Sequence, residues 1–137
     1  MTHTLPDDAE DWARAWRDRI NDREGFATAA AGFEATFLFE IQADGTYDGD
    51  PLRFRVVVDD GACTETSVVD GDADYEFALR GEYEAWRAML GGGLDASEAV
   101  MDGTFDVTGN TMTLLRRQEA IGEMVDAARG VDTAFAY

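Results

Sequence analysis

Lysine is absent from this chain of 137 residues: all 11 basic residues are arginine, set against 29 aspartates and glutamates, for a formal net charge of -18. Without clustered positive charge the surface cannot neutralise a run of phosphates, which argues against nucleic acid as a partner. Histidine occurs once, at His3. A serine triad needs an imidazole base held by a carboxylate, and a histidine in an N-terminal tail has no defined place beside Ser67 or Ser97. The single cysteine, Cys63, excludes an intramolecular disulfide and a cysteine metal cluster. No cofactor or enzymatic activity is expected from this inventory. No stretch is apolar enough to span a bilayer. The first residues lack the basic region and apolar run of a secretion signal, so a cytoplasmic location is expected.

The acidic excess is spread evenly along the chain, which argues against an acidic interaction tail. Such a surface repels itself in dilute buffer. In molar salt the Debye length falls to about 3 Å and the repulsion nearly vanishes. Short carboxylates keep a hydrated surface there, where the apolar stem of lysine would not. These features predict a cytosolic protein of an extreme halophile. Hydrophobic residues make up 45% of the chain, an ordinary share for a globular protein, and the length suits a single domain over residues 1–137.

Residues 1–6 read as a loose tail. Asp7 or Asp8 can cap a helix in which Ala9, Trp12, Ala13, Trp16 and Ile20 share one face. That stripe is expected to pack on the domain's own sheet. A second helix runs from Arg23 to Ala31. Phe33 to Ile41 alternates as a strand, with Phe33, Ala35, Phe37, Phe39 and Ile41 on one side; apolar residues on both faces predict a central position. Further strands are expected over 52–58, 62–69 and 75–80, with a hairpin at Asp60-Gly61. A last helix is expected from Thr111 to Arg129, with Gly122 marking a close approach or a bend, and 131–137 as a C-terminal tail.

The stretch from Gly81 to Asn110 carries the most distinctive sequence. Tyr83, Trp86, Met89 and Leu90 share a helical face. Gly91 to Gly93 stop that helix, and a second short helix has Ala99, Val100 and Met101 as its apolar side. Gly103 ends it. Phe105 and Val107 then alternate in a strand, and Gly109-Asn110 turns into the last helix.

This stretch resembles the sterol carrier protein 2 family of lipid-binding domains. The matching positions are Trp86, Leu90, Gly93, Leu94, Ala99, Met101, Gly103, Val107 and Gly109, with Asn110 where aspartate is more usual. The order of elements elsewhere fits as well, so the resemblance covers most of the chain. It implies an α+β fold, a five-stranded, mostly antiparallel sheet covered by helices, with an apolar tunnel that binds sterols, fatty acids or acyl-coenzyme A esters. In a halophilic archaeon with isoprenoid lipids, a fatty acyl, isoprenoid or quinone-like chain fits better than a sterol. The chain does not end in the peroxisomal tripeptide of many relatives, so peroxisomal delivery is not implied.

The tunnel wall is expected where the crossover unit faces the last helix, the sheet face being occupied by packing. Helical periodicity there points to Trp86, Leu90, Met101, Leu115, Ile121 and Met124 as lining residues. Asp70, Asp72 and Asp74 alternate like the start of a calcium loop, but the expected glycine and bidentate glutamate are missing; a salt-adapted turn fits better. Arg53 and Arg55 are expected to pair with Glu34 or Glu40 across the sheet, although an anionic head group would also suit them. The expected partner is therefore a long-chain apolar ligand, with transient membrane contact and a homodimer as further expectations. The alternative reading is a non-catalytic accessory or dimerisation module, a docking platform whose cavity is filled by side chains.

Overall fold

Side-chain alternation places the strand Glu34–Gln42 (β2) at the centre of the sheet. The computed structural model describes residues 2–5, 7–69 and 74–135. In it β2 is flanked by Leu52–Asp59 (β3) and Phe77–Glu82 (β5), in the order β4-β3-β2-β5-β6, where β4 is Ala62–Val69 and β6 is Asp106–Thr108. β2 runs antiparallel to β3, with Phe37 opposite Val56 and Phe39 opposite Phe54. It runs parallel to β5, with Phe37 opposite Phe77 and Phe39 opposite Leu79. The other pairs, β3 with β4 and β5 with β6, are antiparallel. This is the expected α+β arrangement with a five-stranded, mostly antiparallel sheet.

One face of the sheet is apolar apart from Thr66. Ala35, Phe37, Phe39, Ile41, Phe54, Val56, Val58, Cys63, Phe77 and Leu79 are all buried on it. Helix α1 (Ala9–Asn21) lays its stripe against this face: the Trp12 ring sits 5.2 Å from Phe54, and Trp16 sits 5.1 Å from Phe39. Such ring pairs, tilted or edge-on, follow from the aromatic quadrupole. Thr66 fixes the helix from below by donating its hydroxyl to the Ala13 carbonyl. Helix α2 (Glu24–Ala29) follows, and α3 (Tyr83–Leu90), α4 (Ala96–Met101), α5 (Thr111–Arg116) and α6 (Gln118–Arg129) complete the helical layer.

The opposite face carries charge in register. Arg53 and Arg80 lie either side of Glu40 in neighbouring strands, and their Nε atoms donate to its two carboxylate oxygens at 2.8 and 3.1 Å. Glu40 is only 7% exposed, so two guanidinium groups offset the cost of burying one carboxylate. Arg53 thus pairs as expected. Arg55 instead donates to Glu65 on β4, because its strand neighbour on the β2 side is Leu38.

Three sequence expectations are corrected. The N-terminal tail is not loose where it is described: His3–Leu5 (β1) pairs in parallel with Thr133–Phe135 (β7) of the C-terminal tail. The Tyr83 hydroxyl donates to the Leu5 carbonyl, and Trp12 Nε1 donates to Thr133 Oγ1 at 2.8 Å. The last helix is two helices, broken at Arg117, whose φ of -110° and ψ of 17° leave the helical region. Arg117 turns back there to donate to the Ala29 and Ala31 carbonyls and to lie 4.9 Å over the Phe33 ring. Gly122 makes no close approach, since a Cβ on it would meet nothing within 4 Å.

Candidate functional site

Four elements meet over the apolar face of the sheet without quite filling the space between them. Trp12 and Trp16 come from α1, Phe39, Ile41 and Phe54 from the sheet, Trp86, Met89 and Leu90 from α3, and Val125 and Ala128 from α6. They enclose a void of about 10 Å³, no more than the space for a single water molecule. Every lining residue is apolar. Small-molecule pockets usually run to roughly 300–1,000 Å³, so the core is closed in this conformation.

The polar atoms of the three tryptophans are turned away from the void. Trp12 Nε1 donates to Thr133 Oγ1, Trp16 Nε1 to the Met124 carbonyl at 2.9 Å, and Trp86 Nε1 to the Glu40 carbonyl at 2.8 Å. Each buried indole N–H is therefore satisfied by the protein, as burial requires. The lining presents hydrocarbon and ring faces only. Methionine at position 89 adds an unbranched side chain that can adapt to irregular space.

The single thiol is not set up as a nucleophile. Cys63 sits under the sheet face at 2% exposure, and burial pushes its thiol pKa up to about 12, the reverse of an activated nucleophile. Among the described residues no three His, Cys, Asp or Glu side chains converge as a metal site. Asp70 and Asp72 of the acidic turn lie outside the described residues. A wider surface groove of about 480 Å³ runs between α2 and α6. Glu119, Glu123 and Asp126 line it beside Gly25 and Gly122, which does not suit an apolar chain.

Of the six residues expected to line a tunnel, Trp86 and Leu90 border the void. Met124 is fully buried next to it and Ile121 is half-buried against the same core. Met101 and Leu115 are 87% and 60% exposed, so their inward placement is corrected. Among the described residues of α4 the inward one is Ala99, at 0% exposure; Met101, two positions on, is turned about 200° away from it. In α5 the break at Arg117 resets the helical phase, so Leu114 faces the core and Leu115 does not share a stripe with Ile121 and Met124. The sheet face is itself a wall of the void. The tryptophan pair of α1 and the inward residues of β2 and β3 were the signal for it, read above as packing alone.

The SCP-2 sterol transfer family model matches residues 15–122. The chain belongs to the SCP-2 sterol transfer family. A crystal structure of sterol carrier protein 2 is 26% identical, with a TM-score of 0.82 over 89% of this chain and 96% of that one. A solution structure from Thermus thermophilus, described as possibly a sterol carrier protein, is 25% identical with a TM-score of 0.80, covering 91% of this chain and 89% of that one. The apo form of sterol carrier protein 2 from Yarrowia lipolytica is 20% identical and shares the fold, with a TM-score of 0.54 over 85% of this chain and 88% of that one. No curated protein sequence matches the chain. The match to the SCP-2 family begins within α1, after Trp12, and spans the void-lining strands, α3 and the first part of α6, ending before Val125 and Ala128.

Proposed function

We propose that this SCP-2 family chain is a non-catalytic lipid carrier that shelters a long apolar chain between its sheet and helices α1, α3 and α6. The observation that carries the reading is the wholly apolar lining, with all three indole N–H groups committed to the protein. Sterol carriage is the named role of the 26% identical relative and supports the same class of ligand here. A fatty acyl, isoprenoid or quinone-like chain fits the lining. Burying ten methylenes would gain roughly 8 kcal/mol at about 0.8 per group, offset by the cost of ordering the chain. A void of about 10 Å³ holds no such chain, so loading requires α3 or α6 to move outward.

The surface charge of -18 without lysine supports a setting in the cytoplasm of an extreme halophile. Exchange of lipid there would involve transient contact with a bilayer, and the exposed Met101, Met112 and Leu115 supply apolar surface for it. The small void also favours a second reading: a docking or dimerisation module whose core is filled by its own side chains. One experiment separates the two. The protein is purified from its host in high salt, extracted with solvent and the extract examined by mass spectrometry, alongside a tryptophan fluorescence titration with long acyl and isoprenoid chains. A stoichiometric bound lipid with saturable quenching supports the carrier; a clean extract and no saturable response favours the docking module.

A further inference from the structure

The void has one thin wall. Of the residues that line it, only Leu90 is not fully buried. Leu90 is the last residue of α3, and the glycines 91–93 follow it. Gly92 has a φ of +84°, and a Cβ there would meet nothing within 4 Å, so this turn is both glycine-dependent and unencumbered. Arg129, next to the lining residue Ala128, crosses the seam at this point. Its Nε donates to the Met89 carbonyl and its Nη2 to the Leu94 carbonyl, each at 2.8 Å. Its Nη1 reaches Asp126 at 3.3 Å. One guanidinium thus ties α6 to both sides of Leu90.

Arg129, like Arg117, gives its guanidinium donors to backbone carbonyls. Arg23, Arg53 and Arg55 take carboxylates at short range, whereas the two shortest bonds of Arg129 go to neutral carbonyls. The nearby Asp126 shares its other oxygen with Arg23 at 3.7 Å.

We infer that Arg129 fastens the seam between α3 and α6 and, when the seam opens, receives the carboxylate or phosphate head group of a single-chain amphiphile whose tail enters the void. This rests on the carrier reading above. The void offers a head group no donor, and a polar group buried there without one is disfavoured, so the head stays at the mouth. The mouth is where Leu90 and Arg129 meet. A guanidinium fork matches carboxylate and phosphate geometry, and charge-assisted bonds are about twice as strong as neutral ones. Exchange of two carbonyls for one anion therefore favours the open form only when it is loaded. A partly buried contact pair of this kind also survives high salt better than an exposed one.

Titration of the full chain in molar potassium chloride tests this, with dodecanoate and dodecyl phosphate compared against dodecan-1-ol and binding read from tryptophan fluorescence. The wild type should favour the anions by about tenfold, the scale of one charge-assisted hydrogen bond, and the two anions show which head group fits better. Arg129→Gln should bring the anion-to-alcohol ratio close to one while keeping alcohol binding, with faster association because the fastening is gone. Arg129→Lys, which keeps the charge but not the fork, should retain a reduced preference and decides the matter if the glutamine variant does not fold. Equal wild-type affinities for anions and alcohol would overturn the proposal and leave the carrier reading intact, as would a preference unchanged in both variants. Absence of saturable binding by all three probes would instead remove the carrier reading, and this proposal with it.

Discussion

The Phe105 ring lies so close to Gly81 that a Cβ at position 81 would overlap a ring carbon. Phe105 cannot easily withdraw: it is 2% exposed and packs edge-on against Trp86 with centroids 5.1 Å apart. The end of β5 and the residue just before β6 are therefore joined through a side chain and a missing side chain. Gly81→Ala should cost about 1–3 kcal/mol, as overpacking does, and Phe105→Leu in the same chain should recover part of the loss. Denaturant titration in high salt measures both; a loss that the second substitution deepens would show that the contact is not the cause.

Phe37 sits on the central strand among Phe33, Phe39 and Phe77, with ring centroids 6.0, 5.9 and 5.2 Å away. Phe37→Ala should cost about 3–5 kcal/mol, the usual range for removing a buried phenylalanine. A midpoint shift worth under about 1 kcal/mol would mean that the neighbouring rings collapse into the space.

Asp44 links the β2–β3 loop to α3. Its carboxylate accepts from the backbone N–H of Glu84 at 2.9 Å, and from those of Tyr47 and Thr46, completing a helix start for which Glu82 makes no side-chain cap. These bonds, that to Glu84 foremost, hold its pKa below the ordinary value of 3.8. A depressed folded-state pKa contributes stability that is fully present above the unfolded value and is lost as pH falls through the folded one. Asp44→Asn should therefore lower the melting temperature at neutral pH and narrow the gap to wild type once the pH is well below 3.8. A gap independent of pH would assign the effect to shape rather than charge.

The charge of -18 predicts a fold that needs salt, because unscreened like charges expand a compact chain. The melting temperature, followed by circular dichroism, should fall steadily as potassium chloride is lowered from molar to about 50 mM. A flat profile would remove the halophile reading.

Periodicity made the main strands and α1 legible, because the inward side chains of each repeat with the element's own period. Trp12, Trp16 and Ile20 are inward as their spacing requires. The crossover unit was less legible. Its helices are too short for a stripe to be phased, so Met101 was assigned to the wrong side of α4, where Ala99 is buried. The break at Arg117 has no proline or glycine to announce it. It depends on carbonyls of residues 29 and 31 and on the Phe33 ring, which are distant in sequence. The pairing of the two termini was hidden for the same reason, since three-residue strands carry almost no pattern of their own. The void drew its walls from residues that periodicity correctly called core; what distinguishes a wall from packing is a gap, and a gap has no sequence signature.

That distinction can be tested with two substitutions that a periodicity argument alone would rank in the opposite order. Met101 is 87% exposed, so Met101→Trp adds bulk to the surface and should leave chain binding unchanged. Ala128 is 3% exposed and borders the void on α6. Ala128→Leu would drive a branched side chain into the space between Trp12, Trp16 and Met89, at a cost of about 1–3 kcal/mol in stability. If a long acyl or isoprenoid chain enters there, its affinity should fall by at least about tenfold, since each lost 1.4 kcal/mol is a factor of ten. All three tryptophans line the void, so intrinsic fluorescence reports occupancy directly in either variant. A thermal melt run in parallel separates loss of binding from loss of fold. Should Met101→Trp weaken binding while Ala128→Leu does not, the ligand lies on the outer surface of α4 and α5, and the space beneath α6 is core alone.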